Sequence, residues 1–204
     1  MGLVWLNITM SLDGFVTGPN DDVERLHEWL FAGNIVVRSG GGEFRLRTEA
    51  DAKDFREMLS RTGAVVMGKR TFDLGSEPWG DDPPFEVPCF VVTHKARPTL
   101  TKGRTSFTFV TDGVDRAITL AADAAGARDV QVMGGASAAQ QALASGRLDE
   151  IELHIVPVLL GEGKRLFPAG PLLELEQTQI VSSVGVTHVR YRVKRSSESR
   201  AQRG

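Results

Sequence analysis

Two short stretches constrain this chain most: "VVMGKRT" at residues 65–71 and "VQVMGGAS" at residues 130–137. In each, an apolar run of strand length meets glycine and passes at once into a segment with helical spacing. Glycine weakens the interior of regular structure, so Gly68, Gly134 and Gly135 need a reason. One is a tight strand-to-helix turn. The other is close approach of a ligand to the backbone at a helix N-terminus, where free N–H groups favour anions. Strands that alternate with helices need crossover connections, and crossovers make a largely parallel sheet.

The rest of the chain reads in the same terms. "LVWLNITMSLDGF" is a strand that ends in an Asp-Gly turn at Asp13-Gly14. "VERLHEWLF" places Val23, Leu26, Trp29 and Leu30 at helical spacing. "RSGGGEF" reads as a flexible loop, and "DAKDFREMLSRTG" as a helix with Ala52, Phe55 and Leu59 on one face and Gly63 as its stop. "VPCFVVT" and "TSFTFVT" are strands, and "DGVDRAITLAADAAG" is a helix burying Val114, Ile118, Ala121 and Ala125. "ASAAQQALAS" is a helix stopped by Gly146, "DEIELHIVPVLL" one long strand, and "TQIVSSVGVTHVRYRV" a closing hairpin that turns near Ser183 to Gly185. The expected fold is α/β. It has a mixed, mostly parallel central sheet, an antiparallel C-terminal hairpin and helices on both faces. Residues 1–194 form one domain, and the polar residues 195–204 a disordered tail.

Composition narrows the partners. The 204 residues carry a net charge of −2, which gives no global electrostatic case for nucleic acid or a membrane surface. No apolar run has the length of a membrane span, and the N-terminus lacks the marks of a signal peptide. One cysteine, Cys89, leaves no internal disulfide and no multi-cysteine zinc site. The four histidines, His27, His94, His154 and His188, show no metal-ligand spacing. A reducing, cytoplasmic setting is expected, with no metal. Cys89 reads as a core residue, Asp149-Glu150 as a solvated turn, and His154 as sharing the more polar strand face with Glu152.

In an open α/β sheet, ligands bind beyond the carboxyl ends of the strands. Both glycine turns and the end of "FVVTHKAR" fall on that rim if their strands are parallel. Lys69, Arg70, Lys95 and Arg97, with the hydroxyls of Thr71 and Ser137, suit a nucleotide carrying several phosphates. Neither G-x-G-x-x-G nor the P-loop pattern is present.

The blocks "MSLDGFVTGPND", "AVVMGKRTF" and "VQVMGGASAAQQALASGRLDEIELHIVPVLLGEGKRLF" together resemble the RibD C-terminal domain family, over about residues 3 to 193. The last block is the specific part. The resemblance implies a dihydrofolate-reductase-like fold, NADPH as hydride donor and a homodimer. By the same resemblance, Gly68, Lys69, Arg70 and Thr71 hold cofactor phosphates. Thr93, His94 and Lys95 lie near the adenosine 2′-phosphate, and Gly134, Gly135, Ala136 and Ser137 lie under the pyrophosphate. Thr9, Asp13, Gly14 and Phe15 fall where the family places the nicotinamide and its covering loop, with Asp13 and Thr9 the candidate catalytic residues. Val156, Pro157, Leu160, Gly161 and Gly163 resemble the far wall of the substrate cleft.

The implied activity is that of 5-amino-6-(5-phosphoribosylamino)uracil reductase, with hydride passing from NADPH to a small heterocyclic substrate. No zinc-deaminase motif accompanies it. Residues 20–50 map onto no evident role in that enzyme and are expected to reshape the cleft. A dihydrofolate or other pteridine reductase is the alternative; it benefits from a buried carboxylate, for which Asp51 is the candidate, although a solvated acid in a helix first turn explains Asp51 more simply. A non-catalytic nucleotide-binding module is the third reading.

Overall fold

The computed structural model describes residues 2–170 and 172–194; the expected tail at 195–204 lies outside the described residues. Its centre is a nine-stranded sheet. The strands are β1 (Val4–Ser11), β5 (Thr62–Gly68), β6 (Cys89–Val92), β7 (Leu100–Lys102), β8 (Thr105–Val110), β9 (Asp129–Gly134), β10 (Glu150–Val156), β12 (Leu175–Ser183) and β13 (Val186–Val193). Their order across the sheet is β12-β13-β10-β1-β9-β5-β6-β8-β7. From β10 to β8 every neighbouring pair is parallel. The two C-terminal strands and β7 run antiparallel to their neighbours. This is the expected mixed sheet, with β7 an additional antiparallel edge.

Helices cover both faces. On one side α4 (Gly113–Ala125) and α5 (Ala136–Ala144) pack on β1, β5 and β9. Their buried faces are mainly alanine, which lets the helix axes approach the sheet closely: Ala117, Ala121, Ala138, Ala139 and Ala142 are all buried. On the other side lie α2 (Glu49–Arg61) and α3 (Lys69–Gly75). A capping box starts α2. Thr48 Oγ1 accepts the Asp51 N–H at 3.2 Å, and the Asp51 carboxylate accepts the Thr48 N–H at 3.1 Å.

Residues 20–50 form structure that their composition hides. A short helix, α1 (Glu24–His27), runs into a 3₁₀ turn and buries Leu26 and Trp29. The triple glycine, expected as a flexible loop, is instead the turn of a hairpin between β3 (Ile35–Ser39) and β4 (Gly42–Leu46). Gly40 takes φ +51° there, and the Gly41 N–H donates to the Asp82 carbonyl at 2.9 Å. The remaining small strands, β2 (Phe15–Thr17) and β11 (Lys164–Arg165), pair with each other.

Two expected boundaries move. The strand starting at Glu150 stops at Val156 rather than continuing through "PVLL". The chain turns there, and the Leu12 N–H donates to the Val158 carbonyl at 2.9 Å. Gly63 is not the stop of α2 but the second residue of β5. Its missing side chain serves packing: a Cβ there would stand 2.7 Å from Arg128 Cβ and 2.8 Å from Ala125 Cβ, at the end of α4. Gly63→Ala is therefore expected to destabilise the fold by about 1–3 kcal/mol through overpacking. Thermal unfolding checks this; an unchanged midpoint contradicts the packing argument.

Candidate functional site

The parallel order brings the carboxyl ends of β10, β1, β9, β5, β6 and β8 to one rim. A cleft of about 650 Å³ opens beside it, on the α2 face. Thr9, Thr71 and Gly135 line it from the rim. Asp54, Phe55 and Met58 of α2 form its side. Trp29, Phe31 and the β3–β4 hairpin, from Gly41 to Phe44, close it on one hand, and Trp79 and Phe85 on the other. The 20–50 segment, expected to reshape the cleft, thus supplies one of its walls.

The two glycine turns meet. A Cβ on Gly135 would lie 3.3 Å from Thr71 Oγ1, and one on Gly68 would lie 3.7 Å from the Gly135 nitrogen. The Gly134–Gly135 peptide is cis. The positive φ belongs to Gly134, at +110°, whereas Gly135 has φ −70°. So Gly134 answers to backbone conformation and Gly135 to space. Gly135 caps α5 without a side-chain hydrogen bond, leaving first-turn N–H groups at the rim. Ser137 Oγ, in that turn, accepts from Gln141 at 3.0 Å.

The expected phosphate cations are mostly engaged. Lys69 pairs with Asp73, and Arg70 and Lys164 both pair with Asp21. These two pairs hold Asp21 ionised, below its usual range. Arg97 lies over the Phe109 ring, 4.6 Å from its centroid. Beyond β6, buried Thr93 accepts the Lys95 N–H at 3.2 Å, and exposed His94 and Lys95 follow.

Other expected site residues sit elsewhere. Asp13 does not line the cleft. Its carboxylate accepts from Ser11 Oγ at 2.6 Å, from Gly161 N at 2.7 Å and from Leu160 N at 3.1 Å. With the Ser11 bond the strongest influence, its pKa falls to about 2, which fixes it as a clasp rather than an acid. Gly14 (φ +91°) and Phe15 belong to the same turn and to β2, where Arg165 lies over the Phe15 ring at 4.4 Å. Val156, Pro157, Leu160, Gly161 and Gly163, expected as the far wall, do not line the cleft either. Val156 packs in the core with Trp29 and Val186, and Leu160 and Gly161 tie down Asp13. Gly163 takes φ +131°, and a Cβ there would meet the Thr17 carbonyl at 1.9 Å. The far wall is instead the 23–44 segment, which a reading by resemblance could not supply.

The cleft floor holds a buried polar cluster. Asp51, expected as a possible substrate carboxylate or a solvated acid, is neither solvated nor in the cleft lining: it is 1% exposed. Besides capping α2, it contacts His188 Nε2 at 3.0 Å. His188 Nδ1 meets His154 Nδ1 at 2.6 Å, and His154 lines the cleft. Burial alone would raise the Asp51 pKa, but hydrogen bonds from Ser183, His188 and Thr48 outweigh it and lower the value. Burial, helped by the charges of His188, His27 and Arg190, keeps the His154 pKa well below the usual histidine range.

One turn along α2 stands Asp54, which does line the cleft. Its Oδ1 is buried without a hydrogen bond, 3.9 Å from Arg190. Arg190 is committed to Glu57 at 2.8 Å and to both oxygens of buried Glu152 at 3.2 Å. Burial first, then the Glu152 carboxylate, push the Asp54 pKa up to about 7. Sequence reasoning missed Asp54. The available signal was its adjacency to Phe55 and its place three residues after Asp51, on the same helix face. It also missed that two scattered histidines meet: side-chain N and O atoms of Asp54, His154 and His188 lie within 4.8 Å of one another.

This arrangement defines a dihydrofolate-reductase-like α/β protein with a cleft at the strand rim. The chain belongs to the RibD C-terminal domain family, whose profile matches residues 3–189. The protein YyaP of Bacillus subtilis (strain 168) is 26% identical over 169 residues, covering 79% of this chain and 78% of YyaP. A structure from Shewanella sp. PV-4, named for riboflavin biosynthesis, superposes with TM-score 0.72 at 21% identity, over 95% of this chain and 99% of its own. A pyrimidine reductase-like protein of Corynebacterium diphtheriae gives 0.60 at 15% identity, over 96% and 93%. For the Thermotoga maritima deaminase/reductase of the uracil intermediate the values are 0.63 and 15%, and this chain spans 57% of that longer protein.

Asp54 sets a pH dependence. An acid whose folded pKa is raised keeps its proton in the native state after the unfolded chain has lost it. Stability therefore falls as pH rises from 3.8 towards about 7. Asp54→Asn removes that loss. The wild-type melting temperature is expected to drop more than the variant's between about pH 4 and about pH 8; parallel curves would contradict the assignment.

Proposed function

We propose that this protein is an NADPH-dependent reductase of a small heterocyclic substrate. One observation carries the reading: the Gly134–Gly135 turn opens into the cleft beside Thr71, where parallel strands end. A side chain at Gly135 would fill the space over that turn, so the residues present fit a pyrophosphate lying against the backbone. The first-turn N–H groups of α5 and the Thr71 and Ser137 hydroxyls would hold it. His94 and Lys95 would face the 2′-phosphate. The bound cofactor supplies a hydride from its reduced nicotinamide, and membership of the RibD C-terminal domain family favours that chemistry.

The protein's own share is orientation. Thr9 is fixed by the Trp29 indole N–H, which donates to its Oγ1 at 3.3 Å. The aromatic walls at Trp29, Phe44 and Trp79 suit a flat heterocycle and exclude water around it. The 5-amino-6-(5-phosphoribosylamino)uracil intermediate is one candidate. A pterin is the second, favoured by the buried carboxyl group of Asp54 in the cleft wall. We further infer a cytoplasmic homodimer. Edge strand β12 exposes Leu175 and Ile180, and Leu173 just before it is also exposed, a surface that a second copy would cover. Among the described residues no helix is long and apolar enough to cross a membrane.

Gly135→Val tests the carrying observation. Its φ is ordinary, so the variant is expected to fold, while NADPH raises the wild-type melting temperature and leaves the variant's unchanged. An equal rise in both would reduce the glycine pair to a turn. Lys95→Ala tests the choice of cofactor. Losing one charge-assisted hydrogen bond, about 1.5–3 kcal/mol, should weaken NADPH about tenfold or more and leave NADH unaffected. Fluorescence titration reads both; equal wild-type affinities for the two cofactors would contradict the assignment.

A further inference from the structure

We propose that the buried chain Asp51–His188–His154 is a proton store that ends at His154 Nε2 on the cleft wall, and that His154 gives the substrate the proton that accompanies hydride transfer to a C=N bond. The proposal rests on the reductase reading for its reaction, but not for its geometry.

The geometry orders the protons. The capping carboxylate of Asp51 is an acceptor, so His188 Nε2 carries a proton towards it at 3.0 Å. His188 Nδ1 then faces His154 Nδ1 at 2.6 Å, and one proton lies between them. This uses Nδ1 of His154 and leaves Nε2 as the nitrogen available to the cleft that His154 lines. Two protonation states follow. With both rings neutral, the shared proton belongs to His154, and Nε2 is a bare acceptor. With one further proton, His188 holds both of its own and His154 Nε2–H becomes a donor to the cleft. The added charge then sits on the ring beside Asp51 at 3.0 Å and Asp54 at 3.7 Å.

Burial and the charges of His27 and Arg190 oppose a charge on His154, and the carboxyl groups beside His188 are what supports the added proton there. The groups facing the two rings are Asp51 and Asp54 on α2, Glu152 on β10, Arg190 on β13, His27 on α1, and the uncharged Trp29 and Thr9. Asp51, Asp54 and Glu152 are all buried, and Arg190 is the one guanidinium among them. Buried charge without a counter-charge is costly. A proton on Asp54 and a proton on the histidine pair relieve the excess.

The step balances. A reduced nicotinamide gives hydride to the carbon of a C=N bond and is oxidised by two electrons. The C=N π pair forms the new N–H bond with the proton from His154 Nε2. The proton on His188 Nδ1 moves to His154 Nδ1, both rings end neutral, and solvent reloads the pair through the cleft after product leaves. His154 is the catalytic residue here; His188 and Asp51 are positioning residues.

Imidazole ¹⁵N NMR of the ligand-free protein tests the store without cofactor. One proton taken up jointly by His154 and His188 is expected, with the Asp51→Asn midpoint lower by about one pH unit or more. Rings that titrate independently, or that stay neutral down to about pH 4, hold no deliverable proton and overturn the proposal. So does a tightly bound divalent metal on the pair, seen as a shared-proton resonance that appears only after EDTA. With 7,8-dihydropterin as the C=N probe and saturating NADPH, His154→Gln is expected to lower kcat about a hundredfold with the NADPH affinity unchanged; an unchanged kcat overturns the proposal. Failure of the wild type to bind NADPH would instead indict the reductase reading, while the NMR result still judges the store.

Discussion

A row of polar side chains crosses one face of the central sheet, and helix α2 closes over it. Arg190, Glu152, Asn7, Gln131 and Thr62 stand on five adjacent strands. Each links to the next: Arg190 to Glu152 at 3.2 Å, Asn7 to Glu152 at 3.4 Å, Gln131 to Asn7 at 3.3 Å and Thr62 to Gln131 at 3.4 Å. A second row, Thr9, His154 and His188, is set by strand register, since these residues are direct Cα partners. A buried row of this kind is tolerable only when its groups find partners. Asp51 and Asp54 complete it from above, and their placement fixes how α2 sits on the sheet.

Two requirements therefore share one helix face. Ala52 and Phe55 bury apolar surface against the hairpin and Trp29, while Asp51 and Asp54 meet histidine and arginine. The opposite face of the sheet has no such demand and is packed with alanine-rich helices. The asymmetry divides the labour of the fold. The α4 and α5 side supplies rigidity, and the α2 side carries a cleft with charged, incompletely paired groups.

The sheet and its rim were legible in the sequence because periodicity and glycine punctuation are local signals. The strand–glycine–helix turns at Gly68 and Gly134, the buried face of α4 and the closing hairpin all follow from them. The cluster was not legible, because its members are far apart in sequence: His154 and His188 are 34 residues apart and Asp51 lies 137 residues from His188. Only the register of β10 and β13 joins them. The period-2 polar positions Asn7 and Thr9, Glu152 and His154, and His188 and Arg190 were the available sign. The hairpin wall was hidden by composition, since a glycine run reads as a loop until its flanks are seen to pair. Resemblance misplaced the far wall because Leu160, Gly161 and Gly163 answer to a backbone clasp on Asp13 and to close contact with β2.

One cleft, floored by the polar rows and opened by the glycine pair, is proposed to take a reduced nicotinamide nucleotide. A crystal structure of the protein soaked with NADPH tests it most directly. The pyrophosphate is expected against Gly134 and Gly135, with the nicotinamide beside Thr9 and within reach of the wall formed by His154. Cofactor density away from the glycine pair, or an ordered nucleotide whose nicotinamide points out of the cleft, would contradict it.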